Sequence, residues 1–291
     1  MFYFLSLVMG IMITVMVAIN GGLTSFYGVY SATVMIHLVG LVIISAAVFI
    51  KKERFFPGRF TWYLYLGGAI GVFTTLANNI SFGRISVSAI MALGLLGQTV
   101  TGLVIDQYGL FGMQKHRFTK DKIIGLALIL AGIASMIDNL EIVAVVVSFL
   151  AGLSIVMSRT FNAKLADVTS MRVSTFYNYF IGLIVSMLAF LVLGRGEIVL
   201  AEFAFSPNWY IYLGGAIGVC VVFLSNVVVV KISAFYLTLL IFVGQIFSGV
   251  LIDAFISQAV SMRNIVGGML VALGLSINLV LDYKRKKENP D

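Results

Sequence analysis

The sequence predicts an all-α polytopic membrane protein, with ten transmembrane helices in two inverted five-helix repeats. Three observations predict this class: the composition, the distribution of basic residues between successive loops, and a set of motifs that occurs twice. Of the 291 residues, 60% are hydrophobic and only 11% are charged. A soluble domain carries about 25% charged residues, so this composition leaves no room for a sizeable soluble domain.

Long stretches without charge define the helices. Residues 1–50 contain no Asp, Glu, Lys or Arg, and a run of about 18 apolar residues is enough to cross a bilayer as a helix. Lipid offers the backbone no hydrogen bonds, so each span must satisfy its own by forming a helix. A β-barrel would instead show segments of about ten residues with alternating hydrophobicity. The predicted spans are 3–20, 30–50, 62–80, 86–106, 121–137, 142–159, 173–194, 209–229, 233–254 and 264–282.

Basic residues concentrate in every second loop. With the N-terminus in the cytoplasm, 16 of the 19 lysines and arginines fall on the cytoplasmic side, and Arg159 at the end of the sixth span is one of them. Cytoplasmic loops of membrane proteins carry an excess of Lys and Arg. The distribution therefore predicts ten spans with both termini in the cytoplasm. It also accounts for the net charge of +7, so we expect no nucleic-acid partner.

Two motifs occur twice at the same distance. WYLYLGGAIGV at 62–72 matches WYIYLGGAIGV at 209–219. The frame G-Q-x-x-x-G-x-x-I-D at 97–106 matches the same frame at 244–253, again 147 residues later. A single chain that carries the same polar and small residues twice, in apolar surroundings, is typical of an internal structural repeat.

The repeat divides the chain into two halves of opposite orientation. Upstream of the motifs the offset is 142 residues, so that Asn20 corresponds to Asn162. Each half holds five spans, an odd number, and the second half must therefore enter the membrane from the other side. We predict a first repeat over 1–139 and an inverted second repeat over 140–291, which ends in a short basic tail.

These motifs resemble the YdcZ-type group of the drug/metabolite transporter superfamily. The likeness rests on the G-Q-x-x-x-G-x-x-I-D frame, the tryptophan-led L-G-G-A-I-G-V stretch, and the Asn-Gly or Asn-Ala pair of the first and sixth spans. Nearly the whole chain resembles two five-helix units fused head to tail. After Asp253 the sequence AFISQ departs from the family pattern. The resemblance implies a transporter of the bacterial inner membrane, often an exporter, whose substrate is unidentified.

Polar residues within the spans are the candidate substrate contacts. Gln98 and Gln245 lie near the centres of two antiparallel spans, whereas asparagines lie toward the ends of four others. An amide within a membrane can equally hold two helices together, so both roles stay open. His37 is also a candidate proton carrier, although a lone helix histidine is more often packed and neutral. The predicted substrate-binding residues are Gln98, Gln245, Asn20, Asn79, Asn162, Asn226, Tyr179 and His37.

Asp106 and Asp253, which end the two copies of the frame, are the candidates for proton coupling. An ionisable residue within a membrane indicates function, but a carboxylate near the interface can also cap the following segment. The predicted loop after Asp106 is basic, and opposite charge nearby keeps a carboxylate ionised. Asp253 is therefore the better candidate for protonation and Asp106 for a structural role. The basic residues of that loop are Lys115, Arg117, Lys120 and Lys122.

Inverted repeats are the architecture of many secondary transporters. The sequence therefore favours a transporter that exports a small metabolite or drug-like molecule by alternating access. Small multidrug transporters of similar fold use a buried glutamate in their first helix, and the predicted first and sixth spans contain no acid. A neutral or zwitterionic substrate fits better than a cationic drug. The alternatives are a channel or lipid-handling protein, and a membrane scaffold without transport.

The sequence carries no sign of enzymatic chemistry. No phosphate-binding loop, metal-ligand cluster or catalytic triad is present in the pattern of residues, so we expect no enzyme activity, no cofactor and no metal. The expected partners are a small-molecule substrate and the lipid bilayer. The protein is expected to be a monomer or a homodimer.

Overall fold

A computed structural model of the chain has ten α-helices and no β-strand among the residues that it describes. Those residues are 1–55, 62–108, 122–137, 141–197, 205–228, 234–257 and 261–288. The predicted all-α class is confirmed. The helices are α1 (Phe2–Tyr27), α2 (Val29–Ile50), α3 (Leu66–Ser81), α4 (Val87–Tyr108), α5 (Lys122–Met136), α6 (Ile142–Val168), α7 (Met171–Leu193), α8 (Gly214–Val228), α9 (Ala234–Ser257) and α10 (Met262–Glu288).

The first helix is longer than the sequence predicted. The Asn-Gly-Gly stretch suggested an end at residue 20, yet α1 continues to Tyr27. Its glycines serve packing and not termination, since a Cβ on Gly21 would lie 2.2 Å from the ring of Phe82. A glycine that another side chain covers loses little by remaining helical, because the neighbour excludes water from the backbone.

The sixth helix is also longer than predicted. The predicted span stopped at Arg159, whereas α6 continues to Val168 and includes Lys164 and Asp167. A charged side chain ends an apolar run, but it leaves the helical backbone hydrogen bonds intact. The hydropathy pattern therefore indicated the apolar segment of α6, but it predicted the end of this helix too early.

The tryptophan-led repeats form the same local structure in both halves. Residues Trp62–Tyr65 and Trp209–Leu213 are 3₁₀ turns that lead into α3 and α8. Both tryptophans are exposed, as are the tyrosines that follow them. Exposed Trp and Tyr side chains are typical of the membrane–water interface.

Several helices have the length and composition that a bilayer crossing requires. Five of them qualify by both measures: α1, α2, the segment Val87–Ile105 of α4, α6 and α7. The described apolar parts of four further helices are shorter. Large apolar side chains such as Phe4, Leu191 and Phe255 are exposed on the helices, as lipid contact requires. The chain is thus a multi-pass membrane protein, and ten crossings with cytoplasmic termini stay a prediction.

The helices assemble into two compact units that do not coincide with the predicted repeats. The first unit contains Met1–Thr14, Arg84–Leu153 and Val228–Asp291, and the second contains Val15–Gly83 and Ser154–Val227. Each unit therefore takes helices from both halves of the sequence. The repeat boundary itself stays a prediction.

In the first unit, glycines bring α5 and α10 into close contact. A Cβ on Gly132 would lie 2.6 Å from the carbonyl oxygen of Gly267, and a Cβ on Gly267 would lie 2.6 Å from that of Gly132. Gly125 and Gly274 approach each other in the same way. Small residues let two membrane helices meet backbone to backbone. An apolar core that includes Leu93, Ile129 and Phe242 completes the unit.

The first unit also contains two helix crossings that the repeat relates. A Cβ on Gly10 of α1 would lie 2.1 Å from the Ile241 carbonyl oxygen of α9. A Cβ on Gly152 of α6 would lie 2.1 Å from the Gly94 carbonyl oxygen of α4. Gly10 corresponds to Gly152 and Gly94 to Ile241 at the two offsets of the repeat, so these two contacts are equivalent.

Candidate functional site

Two asparagines of the second unit occupy equivalent contacts against glycine. A Cβ on Gly67 of α3 would lie 2.2 Å from Oδ1 of Asn162, and a Cβ on Gly214 of α8 would lie 1.7 Å from Oδ1 of Asn20. Both asparagines are buried. The contacts explain why each L-G-G-A-I-G-V stretch begins its glycine pair where it does: any side chain there would displace the amide.

The NH₂ group of Asn162 holds helices together. Its Nδ2 donates to Oδ1 of Asn178 over 2.8 Å and to the Ser158 hydroxyl oxygen over 3.4 Å. The Ser158 hydroxyl donates to the Gly67 carbonyl oxygen over 2.7 Å. The Ser174 hydroxyl donates to the Asn162 carbonyl oxygen over 2.6 Å. This network joins α6 to α3 and α7, which indicates a structural role.

Asn20 lacks the partners of its counterpart. At the repeat offset of 142 residues, Ile36 takes the place of Asn178 and Met16 that of Ser158. Oδ1 of Asn20 is buried and has no hydrogen-bond partner among the described residues. A buried polar atom without a partner is uncommon and calls for an explanation, of which a ligand is one. The two predicted asparagines therefore differ in their hydrogen bonding, although their positions are equivalent, and their roles in substrate binding stay predictions.

His37 and Tyr179 make exchanged contacts between α2 and α7: each ring packs against a glycine of the other helix, at equivalent positions of the repeat. A Cβ on Gly182 would lie 2.4 Å from Cδ2 of His37, and a Cβ on Gly40 would lie 2.1 Å from Cε1 of Tyr179. The two ring centroids are 5.9 Å apart. Nδ1 of His37 lies 2.8 Å from the Thr33 carbonyl oxygen, which can only accept, so the ring donates through Nδ1. Both rings are tightly packed, and a role in carrying protons stays a prediction.

Asn79 joins α3 to α2. Its Nδ2 donates to the Thr33 hydroxyl oxygen over 3.1 Å, and that hydroxyl donates to the Val29 carbonyl oxygen over 2.7 Å. The side chain is buried. Its predicted equivalent, Asn226, lies in α8, but the side chain of Asn226 is outside the described part of the structure.

Gln98 and Gln245 lie in the first unit and keep unused hydrogen-bonding capacity. Gln98 is partly exposed, and its Nε2 makes only a long contact of 3.4 Å to the Gly94 carbonyl oxygen of its own helix. Gln245 is buried, and the hydrogen bonds that it makes to described residues use its backbone and not its side chain. Its backbone carbonyl instead accepts from the Thr14 hydroxyl over 3.2 Å. These amides are not committed to helix packing, which favours the substrate-binding role that the sequence left open.

Asp253 caps the N-terminus of α4. Oδ1 accepts from the Val87 N–H over 2.7 Å, and Oδ2 accepts from the Ser88 N–H over 3.0 Å and the Ser88 hydroxyl over 2.5 Å. Nδ2 of Asn264 adds a weaker contact to Oδ2 at 3.3 Å. Acids are favourable at a helix N-terminus because its N–H groups are unpaired and its dipole is positive. The carboxylate therefore has a structural role, and proton coupling stays a prediction.

The prediction for Asp106 concerns side chains outside the described part of the structure. Asp106 lies in α4, but its side chain is outside the described part. Lys115, Arg117 and Lys120 also lie outside the described residues, as does the side chain of Lys122. The proposed neutralisation of Asp106 by that loop stays a prediction.

Sequence reasoning missed two further acidic caps. The carboxylate of Glu197 accepts from the Tyr30 N–H over 3.0 Å and from the Ser31 N–H over 2.7 Å, at the start of α2. Glu53 bonds the side chains of Ser170 and Arg172 at the start of α7. Both acids follow the second helix of a repeat, but at the offset of 142 residues Glu53 aligns with Arg195, so the alignment of the two halves did not show them.

A metal centre finds no support in the described residues. They contain no group of three His, Cys, Asp or Glu side chains that could hold an ion. Cys220 is a free, exposed thiol in α8. The polar chemistry of both units thus consists of amides, hydroxyls, helix-capping carboxylates and a few basic side chains.

Comparison with known proteins identifies the family. The model of the family described as "Putative inner membrane exporter, YdcZ" matches residues 1–135 and, a second time, residues 143–277. No curated protein sequence matches the chain. A solved structure described only as "Crystal structure of protein" is similar with a TM-score of 0.67 at 12% identity, and 96% of each chain is covered. Identity this low shows the fold alone. The two family matches together span most of the chain, which belongs to the YdcZ family of inner-membrane exporters.

Proposed function

We propose that the chain exports a small metabolite or drug-like molecule as a secondary transporter that works by alternating access. Its membership of a family described as inner-membrane exporters supports a membrane transporter; the direction, the mechanism and the substrate class are the proposal. The observation that carries it is the exchange of equivalent contacts within each unit. His37 contacts Gly182 as Tyr179 contacts Gly40, and Asn162 contacts Gly67 as Asn20 contacts Gly214.

Exchanged contacts of this kind provide a route to two states. Where two copies of one sequence pack on each other, each copy can adopt the local conformation of the other at little cost in free energy. In transporters built from inverted repeats, this exchange converts an inward-open state into an outward-open state. Interfaces with two such packings switch between discrete arrangements and do not deform continuously.

The polar residues divide into two groups by their use. In the first unit we assign the direct contacts to substrate to Gln98 and Gln245, because packing between the described residues leaves their amides hydrogen-bonding capacity. In the second unit Asn20, whose buried Oδ1 has no partner among the described residues, is a candidate contact by itself. The others hold helices together and would shape the site. This second group comprises Asn79, Asn162, His37 and Tyr179, and Asn226 joins it by its equivalence to Asn79. Asp253 and Asp106 are assigned proton coupling only if their carboxylates are released during the cycle.

The experiment is efflux from proteoliposomes loaded with a bacterial metabolite extract and followed by mass spectrometry. We expect one or a few metabolites to leave with saturable kinetics. Gly40→Val should abolish efflux, because its side chain would occupy the space of the Tyr179 ring. Gly102→Val is the matched control, since no atom of the described residues lies within 4 Å of a Cβ at Gly102.

Each alternative function predicts a different outcome. A channel would release many solutes without saturation, and Gly40→Val would change only the rate. A scaffold would release none. Either result with correctly folded protein would contradict alternating access.

A further inference from the structure

An arginine lies inside α6, where the sequence placed a cytoplasmic end. Arg159 is followed by nine more helical residues, up to Val168. No other charged residue occurs between the start of α6 at Ile142 and Arg159. Charged side chains within membrane helices almost always face the bundle interior or a water-filled cavity, and they mark substrate or ion pathways.

The repeat indicates which way Arg159 points. Its counterpart 142 residues earlier is Val17, which is 2% exposed and so faces the protein interior. Arg159 occupies the equivalent, inward position but remains partly exposed. A side chain at such a position that is still partly accessible is one that a ligand can reach.

The guanidinium of Arg159 has no partner in the described part of the chain. It makes no hydrogen bond, ion pair or ring contact there, whereas Arg172 in the same unit pairs with Glu53. Its neighbours Ser158 and Asn162 are already engaged between α6, α3 and α7, where they donate to the Gly67 carbonyl oxygen and to Oδ1 of Asn178. Guanidinium offers five N–H donors in a planar fork that fits carboxylate and phosphate groups. An inward cation without a counter-charge is stabilised when an anion binds it.

We infer that Arg159 binds an anionic group, a carboxylate or a phosphate, of the molecule that the protein transports. The inference rests on the proposed transport function and adds the charge of the substrate to it. A zwitterionic metabolite meets this requirement through its carboxylate. The first repeat, with Val17 in this place, cannot supply the same contact, so the site is asymmetric although the fold is repeated.

The test measures anion binding and not transport, so that it can succeed or fail independently of the proposed function. Purified full-length protein in phosphatidylcholine nanodiscs is titrated with benzoate or inorganic phosphate, with neutral benzamide as the reference. Arg159→Val installs the residue of the equivalent position and should fold. Arg159→Lys retains the charge without the fork. Arg84→Gln removes an exposed arginine and is the matched control.

We expect the wild type and Arg84→Gln to bind benzoate or phosphate at millimolar concentration. Arg159→Val should weaken binding at least tenfold, and Arg159→Lys should bind with intermediate affinity. Benzamide should show no dependence on Arg159. Equal anion affinity in Arg159→Val and wild type, or no binding of either anion to the wild type, would overturn the inference.

A lipid phosphate is the other source of the same chemistry. The titration is therefore repeated with phosphatidylglycerol added to the nanodiscs. If Arg159 binds a substrate, the anion affinity should be the same in both lipids. If phosphatidylglycerol abolishes benzoate and phosphate binding in an Arg159-dependent way, the residue is a lipid contact and the assignment to substrate is wrong.

Discussion

The cap that Asp253 provides for α4 predicts a loss of stability in Asp253→Asn. The first three N–H groups of α4 have no partner within the helix. Asp253 accepts from Val87 and Ser88, and the Ser86 hydroxyl accepts from Ala89. Asparagine keeps one acceptor oxygen but replaces the other with an NH₂ group. That group would face either the Val87 N–H or the Ser88 N–H, and neither backbone N–H can accept a hydrogen bond.

The magnitude follows from the bonds that are changed. A hydrogen bond to a charged group contributes about 1.5–3 kcal/mol and one between neutral groups about 0.5–1.5 kcal/mol. The substitution removes at least one charged hydrogen bond and makes the remaining ones neutral. We expect the free energy of unfolding in detergent micelles to fall by about 2–4 kcal/mol, by the same measure. Glu197→Gln, which alters the equivalent cap on α2, should cost a similar amount.

The assay combines chemical denaturation with transport at several pH values. If the carboxylate only caps the helix, the Asp253→Asn protein that remains folded should transport with an unchanged pH profile. Ser88→Ala should also lower the free energy of unfolding less in the Asp253→Asn background than in the wild type. A stable Asp253→Asn protein whose transport no longer responds to a proton gradient would refute this reasoning. It would support the proton-coupling role instead.

Three further outcomes are expected. Gly40→Ala should lower the unfolding free energy by about 1–3 kcal/mol through overpacking against the Tyr179 ring, whereas Gly102→Ala should be neutral or slightly stabilising; thermal denaturation in detergent compares them. Asn162→Ala should destabilise the protein more than Asn20→Ala, which loses an amide whose oxygen has no partner among the described residues, and the same assay measures the difference. In a Cys220→Ser background, a cysteine added to the C-terminal tail should react with impermeant maleimide only after the cells are opened.

The sequence predicted the class, the number of helices and the repeat because these depend on hydropathy and on residue identity. It could not predict the ends of α1 and α6. Gly21 continues a helix because Phe82 covers it, and Arg159 continues one because its backbone is unaffected by its charge. The two helix ends therefore depend on tertiary contacts or on backbone geometry, and neither can be predicted from the length of an apolar segment.

The sequence predicted which types of residue the candidate site contains, but it could not assign their roles. Six of the eight predicted substrate contacts carry amides, and an amide in a membrane serves equally to join helices or to hold a ligand. Only the partners decide between these roles. Asn178 and Ser158 bond the amide of Asn162 and so hold it in the packing between helices. At the equivalent positions around Asn20 the sequence has Ile36 and Met16, which cannot make these bonds.

The differences between the copies therefore hold more information about function than their similarities. Residues that both copies share, such as the glycines of L-G-G-A-I-G-V, fit the packing that both must adopt. Where the copies differ, one of them carries a polar or charged side chain that the other lacks: Asn178 replaces Ile36, and Arg159 replaces Val17. A symmetric fold needs neither change, and a charge within a membrane helix is costly. A ligand that is itself asymmetric, with an anionic group at one end, provides a physical reason for retaining such differences between the two halves.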